Sequence, residues 1–432
     1  MSYMILILLL FGMVFTDLPI FPSKTVTHSL MFLIAPFAFI LILMINNFKV
    51  NLNSHFSIKI FILYLLSTLF SSLIILTYTT IYLEGDIYKY GINFLIKFFE
   101  AFFSLSFLHF LVLFNLIFVF ERISMNILKN FIVSIFTFLT FIAFIDYITP
   151  EFLNAFHSFS KGYERLRLFN MEPSHAGLNY FILFLLTLLL VKSFILKLLL
   201  SLSGFTVLIF IESKGLFISI AFALFGTLLC NKRFIKDVKV LFGLLFVFLL
   251  IVYINYSIIL EALITDIEKF TSFSTRASGF LGSVLTLFQY PLGTGYGTYI
   301  YVYPRLLEEG YIILNNMFTS IIGINLSRLE INDILETGIN LGAKAGIPQA
   351  VVMSGWLSVM FFLFLFIYLF KTIRRLNVLD FISKNERIIL YFLIFILIFQ
   401  LLFGSDYTLL YSIWLPVALI EKMKKDAKKY EA

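Results

Sequence analysis

Long apolar runs alternate with short polar connections along almost the whole chain. A helix needs about 20 residues to cross roughly 30 Å of hydrocarbon, and most of these runs approach that length. We therefore predict an all-α, polytopic integral membrane protein with about twelve transmembrane helices. The predicted spans lie near residues 3–16, 28–46, 58–79, 98–120, 130–148, 178–196, 198–211, 215–230, 240–260, 348–370, 388–403 and 408–421.

Two of these runs, 198–211 and 215–230, are short and are joined only by Glu212-Ser-Lys214. Two interpretations are open: a pair of short spans, or a hairpin recessed into the protein interior. The chain shows no repeat of roughly 20 to 50 residues and no low-complexity linker. We therefore expect residues 1–432 to form a single integral membrane domain.

The composition supports this class. Hydrophobic residues make up 61% of the chain and charged residues 13%, whereas soluble domains carry about 25% charged residues. Cys230 is the sole cysteine, which excludes an intrachain disulfide, and the five histidines are scattered without metal-ligand spacing. The first residues have no basic region and no small-residue cleavage site, so we interpret them as the first transmembrane helix.

The basic residues predict the orientation. With the N-terminus inside, cytoplasmic segments hold 20 of the 32 lysines and arginines but 7 of the 25 acidic residues. This asymmetry follows the positive-inside rule and places both termini in the cytoplasm. Because topology accounts for the net charge of +7, no nucleic-acid partner is implied.

Two of the predicted external connections are large. Residues 149–177 form the first, and it holds the main candidate site. Residues 261–347 form the second, which is not a hydrophilic domain, because apolar residues recur at helical spacing in 275–289 and 327–336. Amphipathic helices of this kind lie in the membrane interface. We expect an external cap of horizontal helices.

The candidate chemistry is concentrated in residues 165–177. Arg165 and Arg167 flank one leucine and point the same way in an extended chain, so two guanidinium groups form a fork for a phosphate or diphosphate. Glu172 and a following proline mark a helix start, whose N–H groups and dipole attract anions. His175 is a candidate general base with a pKa near neutrality.

Each of these residues also has a purely structural interpretation. Arg165 and Arg167 are equally suited to anchoring the loop to lipid headgroups or to pairing with nearby glutamates. Glu172 or Ser174 is suited to capping the helix, and His175 to an interfacial hydrogen bond. The sequence alone leaves these alternatives open.

Further candidates lie later in the chain. Lys214 sits between two short spans, either as a third cation beneath the external site or as a snorkelling residue in a turn. Arg276 opens a predicted amphipathic helix that ends at Gln289. The glycines of 291–297 do not form a dinucleotide fingerprint. We interpret them as a flexible turn whose N–H groups are available to an anion.

An aromatic-rich strip follows this turn and ends at Arg305. Two roles are open for its tyrosines: stacking on sugar rings, or an interfacial aromatic belt. The strip contains Tyr290, Tyr296, Tyr299, Tyr301 and Tyr303.

In their order along the chain, these motifs resemble the O-antigen polymerase and ligase superfamily of bacterial envelope glycosyltransferases. Residues 165–177 run into a span, and Ser213-Lys214-Gly215 is similar to that group's Ser-Arg/Lys-Gly element. Arg276 followed by Pro291-Leu-Gly-Thr-Gly-Tyr-Gly297 is similar to its Arg…Pro-x-Gly-x-Gly segment. The absence of histidine from 261–347 favours the polymerase branch, because the ligases typically carry one there.

The resemblance implies a GT-C-like, metal-independent and cofactor-free glycosyltransferase in the bacterial inner membrane, acting at its periplasmic face. Donor and acceptor would be oligosaccharide repeat units on undecaprenyl diphosphate, joined by block transfer, with a chain-length regulator as a possible protein partner. Glu172 or His175 would serve as the base. The cations expected at the diphosphate are Arg165, Arg167, Lys214, Arg276 and Arg305.

Two other functions remain open at this point. An O-antigen ligase would transfer the same polymer to lipid A–core and would differ in its acceptor alone. A flippase for lipid-linked oligosaccharides would have a similar number of spans, but usually with two related halves and short loops.

Overall fold

The computed structural model of the chain describes residues 1–16, 29–47, 49, 52, 55–149, 166–170, 172–211, 213–230, 271–323, 325–404 and 410–431. This part of the chain is nearly all helical, with 82% helix. Within the described residues, the single sheet is a hairpin of two short strands, Tyr88–Lys89 (β1) and Ile92–Asn93 (β2). The predicted all-α class is confirmed.

The helices follow the apolar pattern of the sequence. Helix α4 continues through a π-helical turn, Phe103–Phe107, into α5, and α15 ends in a second π-helical turn, Gln400–Gly404; a 3₁₀ turn, Tyr411–Ile413, precedes α16. The helices are α1 (Ser2–Val14), α2 (Met31–Ile45), α3 (Phe56–Tyr82), α4 (Phe94–Phe102), α5 (Leu108–Arg122), α6 (Met125–Ile148), α7 (Pro173–Leu190), α8 (Phe194–Ile211), α9 (Lys214–Cys230), α10 (Thr271–Gln289), α11 (Tyr299–Ile322), α12 (Leu329–Thr337), α13 (Gly346–Ser354), α14 (Trp356–Val378), α15 (Lys384–Phe399) and α16 (Trp414–Glu431).

Seven helices of the described residues are long and apolar enough to cross a membrane. Every predicted span overlaps a helix except 240–260, which lies outside the described residues. The structure therefore supports an all-α membrane protein, while the total of twelve spans and the two large external connections stay predictions. The seven are α3, α4 with α5, α6, α7, α8, α14, and α15 with its π-turn.

Two predicted spans differ from the observed helices in ways that single residues explain. The run at 178–196 ends earlier, because α7 is Pro173–Leu190 and Val191 takes an extended conformation. The run at 348–370 is divided between α13 and α14 at Gly355, whose φ is +56°. A continuous apolar pattern predicts a helix, but it does not locate a break that depends on one glycine.

The chain folds into two compact units. The first unit comprises residues 1–67, 100–223 and 360–432, and the second comprises 68–99 and 224–359. In the first unit, α5 is buried at every position from Leu108 to Phe120, and α7 is buried along most of its length. Helices that are apolar on all sides belong in a core, and these two lie at its centre.

One end of the first unit gathers the helix ends that topology predicts on the cytoplasmic side. The start of α6, the end of α7, the start of α15 and the end of α16 surround a cavity of about 640 Å³. Charged side chains from these four ends line it, including Lys129, Lys192, Glu386 and Asp426. The candidate residues 166–175 are attached to the opposite end of α7.

The second unit is built around close packing of α10 and α11. Small residues recur every four positions on the buried face of α10, and they permit close approach of neighbouring backbone. A Cβ on Gly310 of α11 would lie 2.5 Å from the carbonyl oxygen of Ser278. The small residues of this face are Ser274, Ser278, Gly282 and Thr286.

Both amphipathic segments predicted in 261–347 are helical, as α10 and α12. The helix α11 was not predicted, because its sequence was interpreted as an aromatic strip. Tyr303 explains the difference. Its ring is fully buried in the second unit, and its hydroxyl donates to the carbonyl of Gly279 at 3.2 Å.

Candidate functional site

The segment before α7 folds back on itself. Leu168 adopts a left-handed conformation with φ of +48°, and the N–H of Asn170 donates to the carbonyl of Arg167 at 3.0 Å. This turn buries Arg167, which is 4% exposed. A buried guanidinium is costly unless polar groups or an anion compensate it. Arg165 lies outside the described residues.

Glu172 is the residue that begins α7. Its backbone is extended, with φ of −132° and ψ of 149°, and Pro173 follows at the first helical position. Glu172 occupies the N-cap position, as the structural interpretation expected, but no side chain accepts a capping hydrogen bond there. Instead, the Ser174 hydroxyl donates to the Glu172 carboxylate at 3.2 Å. Glu172 therefore presents an exposed carboxylate at the positive end of the helix dipole.

His175 lies one helical turn beyond Glu172. Its backbone N–H donates to the Glu172 carbonyl at 3.1 Å, and its side chain is half-buried. Glu172 is the N-cap residue and His175 is the third residue of α7, so both predicted candidates for the base lie at the start of one helix.

The start of α9 packs directly against the start of α7. A Cβ on Gly177 would lie 3.2 Å from the Cβ of Ser213 and 3.2 Å from Leu216, so the two helix starts pack closely at this glycine. Two helix N-termini consequently lie side by side, and both dipoles favour an anion there. Lys214 is the first residue of α9, and its side chain lies outside the described part of the structure.

Gln400 anchors the start of α9 from a third element. It lies in the π-helical turn that ends α15 and is 2% exposed. Its amide donates to the carbonyl of Gly215 at 3.2 Å and to the hydroxyl of Ser219 at 3.0 Å. Single-turn π-helices are frequent at functional sites. Here the turn fixes the position of the α9 N-terminus.

A buried polar network lies behind the turn that holds Arg167. Thr16 donates to the side-chain oxygen of Asn170 at 3.0 Å, and the Asn179 amide donates to the same oxygen at 2.7 Å. Ser412 in turn donates to the side-chain oxygen of Asn179. These residues were not predicted from the sequence. Asn179 was detectable as a polar residue within an apolar run, whereas Thr16 and Ser412 carried no signal.

Arg276 and Arg305 belong to the second unit. Arg276 is half-buried on α10, which already includes Thr271, so the predicted helix start at Arg276 is wrong. Arg305 is exposed on α11 and pairs with Glu309 at 2.8 Å. The Glu309 carboxylate raises the pKa of Arg305 above its usual value. Convergence of these arginines with the α7 site stays a prediction.

Three N–H groups of the glycine-rich turn at 291–297 are used by the chain itself. The N–H of Gly293 donates to the carbonyl of Tyr290 at 2.8 Å, and the N–H groups of Thr294 and Gly295 donate to the 352 and 353 carbonyls. These three donors are therefore occupied, and an anion site at the rest of the turn stays a prediction.

The tyrosines after this turn are mostly core residues. Tyr296, Tyr299 and Tyr303 are at most 5% exposed, whereas Tyr301 is 37% exposed. The backbone carbonyl of Tyr301 accepts from Lys89 at 3.3 Å, which attaches the β1–β2 hairpin to α11. Burial removes Tyr296, Tyr299 and Tyr303 from both predicted roles, sugar stacking and an interfacial belt.

The described architecture places the chain in the class of all-α membrane proteins with several apolar, membrane-length helices. No protein-family model matches the chain, and comparisons with characterised proteins and with solved structures gave no match either.

Proposed function

We propose that this protein is a glycosyltransferase that uses a lipid-diphosphate donor, and specifically a polymerase of undecaprenyl-diphosphate-linked repeat units. The observation that carries the proposal is the side-by-side start of α7 and α9. The buried Arg167 lies five residues before Glu172 along the chain. Two helix N-termini and a guanidinium form an environment for a phosphate-containing anion. The exposed Glu172 carboxylate lies at the same helix start.

The residues support a simple transfer reaction. An acceptor hydroxyl oxygen attacks the anomeric carbon of the donor sugar, and the bond from that carbon to the lipid diphosphate breaks. The hydroxyl proton passes to Glu172, or alternatively to His175. Negative charge develops on the departing diphosphate, where Arg167 and the two helix dipoles stabilise it.

The order of motifs favours polymerisation over the other functions considered. Residues 165–177, the Ser213-Lys214-Gly215 element and the glycine turn after Arg276 occur in the same order as in the polymerase and ligase superfamily. Residues 261–347 contain no histidine, as expected for the polymerase branch. The proposal also includes a periplasmic site, with lipid-linked oligosaccharide as both donor and acceptor.

A reaction of purified protein with a lipid-linked repeat unit tests this proposal. Wild-type protein should produce a ladder of longer chains. The Glu172→Gln variant should lose at least about a hundredfold in rate if Glu172 is the base. The Glu84→Gln variant removes another exposed carboxylate, outside the site, and should retain the wild-type rate. Equal rates in both variants would exclude Glu172 as the base.

Deletion in the native host distinguishes polymerase from ligase and flippase. Loss of a polymerase leaves lipopolysaccharide core that carries a single repeat unit. Loss of a ligase leaves core without any O-antigen and an accumulated lipid-linked polymer. Loss of a flippase leaves unpolymerised lipid-linked repeats on the cytoplasmic face. The first phenotype supports our proposal, and either of the others would contradict it.

A further inference from the structure

A second charged pocket lies in the first unit, in a region that the proposed reaction does not use. It measures about 280 Å³ and lies between the C-terminal part of α14 and the C-terminal part of α16. Four cationic side chains line it, two from each helix, and none of the described lining residues is acidic. These cations are Lys371, Arg375, Lys424 and Lys428.

The spacing of these cations is unfavourable for an isolated protein. Lys371 and Arg375 are four residues apart on α14, and Lys424 and Lys428 are four residues apart on α16. Like charges at this separation repel each other along a helix. Here two repelling pairs face one cavity, so an anion in the cavity would relieve both of them.

Lys424 has partners within the protein that partly compensate its positive charge. Its ammonium donates to the Tyr368 hydroxyl at 2.7 Å and lies 3.9 Å from the Glu421 carboxylate. Glu421 is also engaged by Ser57, which donates to it through its hydroxyl and its backbone N–H. Burial lowers the pKa of Lys424, and Lys428 and Arg375 lower it further against the opposing effect of Glu421.

The neighbouring cavity of about 640 Å³ provides a comparison within the same unit. It also contains lysines, but Glu386 and Asp426 line it as well. Asp426 pairs with Lys422 at 3.1 Å and with Lys429 at 3.9 Å. Acidic residues therefore balance the lysines of the larger cavity, although this end of the unit is rich in basic residues. The smaller pocket is different because its lining is cationic.

We propose that the pocket of Lys371, Arg375, Lys424 and Lys428 binds the phosphate headgroup of an anionic phospholipid. A guanidinium fork and ammonium groups are suited to phosphate oxygens. The predicted span of α14 ends at 370, one residue before Lys371, so the pocket lies at the level of lipid headgroups. Leu376 and Leu379 line the same pocket and provide apolar contact for the start of an acyl chain.

The pocket size fits the polar part of a lipid. About 280 Å³ is near the lower limit for small-molecule sites, which suits a phosphate with its glycerol rather than a whole lipid. By the charge distribution, this end of the unit faces the cytoplasm. Anionic lipids of that leaflet attract basic segments close to the membrane surface.

Native mass spectrometry of the purified full-length protein in neutral detergent tests the inference. Dioleoylphosphatidylglycerol is the probe, and dioleoylphosphatidylcholine is the uncharged control lipid. The wild-type protein should retain phosphatidylglycerol in preference to phosphatidylcholine. Arg375→Gln and Lys428→Gln should each weaken its binding by about fivefold. Lys384→Gln removes an exposed charge near the same end but outside the pocket, and should leave binding unchanged.

Two outcomes would overturn the inference. Equal weakening by Lys384→Gln would show that surface charge alone attracts the lipid. Displacement of the lipid by excess inorganic phosphate would show that the pocket takes a soluble anion. A melting measurement without lipid excludes a merely structural effect: Lys428→Gln should have a Tm equal to or above that of the wild type, because it relieves the repulsion between Lys428 and Lys424. A clearly lower Tm would contradict the proposed repulsion.

Discussion

Individual buried polar residues hold the candidate site in place. Asn170 is 2% exposed, and its side-chain oxygen accepts two hydrogen bonds, one from Thr16 and one from Asn179. The adjacent turn positions Arg167 through the Asn170 N–H. Removing one member of such a network leaves the remaining donors buried without their acceptor, which costs more than the lost bond.

Substitution of Asn170 by alanine should therefore destabilise the protein. Thr16 and Asn179 would both lose the same acceptor, and we expect a loss of about 1–3 kcal/mol in the free energy of unfolding. Asn126→Ala is a suitable control, because Asn126 is exposed on α6. Its effect should stay within about 0.5 kcal/mol. Thermal unfolding in detergent measures both, and equal effects would contradict the network.

We expect His55 to make the free energy of unfolding depend on pH. It is 3% exposed, and its Nε2 lies 3.4 Å from the Glu121 carboxylate. Lys425 also pairs with Glu121, at 2.7 Å, and so weakens its attraction for a proton on His55. Burial is therefore the dominant effect and lowers the pKa of His55 below 6.5, although Glu121 and Glu421 oppose it.

The sign of this effect follows from linkage. Above pH 6.5 the imidazole is neutral in both the folded and the unfolded chain, and the stability contribution is complete. As the pH falls below 6.5, the unfolded chain takes up a proton first, so the free energy of unfolding should decrease. Unfolding measured between neutral and mildly acidic pH should show this slope. His55→Gln should flatten it, and an identical slope in that variant would exclude His55 as its source.

At the scale of elements, glycines determine where helices end and how closely they pack. Gly293 has a φ of +84°, and a Cβ there would lie 2.4 Å from the carbonyl oxygen of Met353. Gly355 packs against the turn at residues 291–297, and a Cβ on Gly355 would lie 2.1 Å from the carbonyl oxygen of Pro291. Each glycine therefore satisfies a backbone conformation and a steric limit at once.

A pair of alanine substitutions separates these two requirements. Gly323→Ala forces alanine into a φ of +76° in open space, so it should cost about 1–2 kcal/mol. Gly293→Ala meets a similar φ and an additional backbone clash, so its cost should be clearly larger. The difference in Tm between the two variants measures the steric cost of a Cβ at Gly293. A smaller loss of Tm for Gly293→Ala than for Gly323→Ala would contradict the close backbone packing at this turn.

The elements were predictable where apolar residues form long runs. Helix α7 and its start at Glu172-Pro173 followed from the sequence, since proline and the apolar run act locally. Helix α11 was not predictable in the same way, because its tyrosines and glutamates do not form an apolar run. The burial of Tyr303 depends on α10, which is a separate element. The occupied donors of Gly293 and Thr294 likewise depend on the chain around them, including the distant residue 352.

At the scale of the whole molecule, the sequence predicts sidedness from charge. Lys49 is expected in the cytoplasm and Glu84 outside, because positive charge accumulates in alternate connections. In the first unit, the helix ends predicted on one side surround a common cavity, which agrees with this alternation. Arg167 belongs to the first unit and Arg276 to the second. Local sequence patterns therefore do not determine whether these two arginines lie close together, and their proximity stays a prediction.

Cysteine labelling tests the predicted orientation. The background variant is Cys230→Ser, which removes the single cysteine. In that background, Glu84→Cys should react with a membrane-impermeant maleimide applied from outside. Lys49→Cys should react only after the membrane is permeabilised. Both results follow if the N-terminus lies in the cytoplasm. The opposite pattern would invert the topology and move the α7 start to the cytoplasmic face.

The most direct test of the central claim is the affinity of purified protein for undecaprenyl diphosphate, compared between Arg167→Lys and Arg122→Lys. Lysine keeps the charge at position 167 but loses the guanidinium fork, so we expect binding to weaken by about tenfold. Arg122 is exposed at the other end of the first unit, and its substitution should leave the affinity unchanged. Equal affinities for wild type and both folded variants would contradict a diphosphate site at the start of α7.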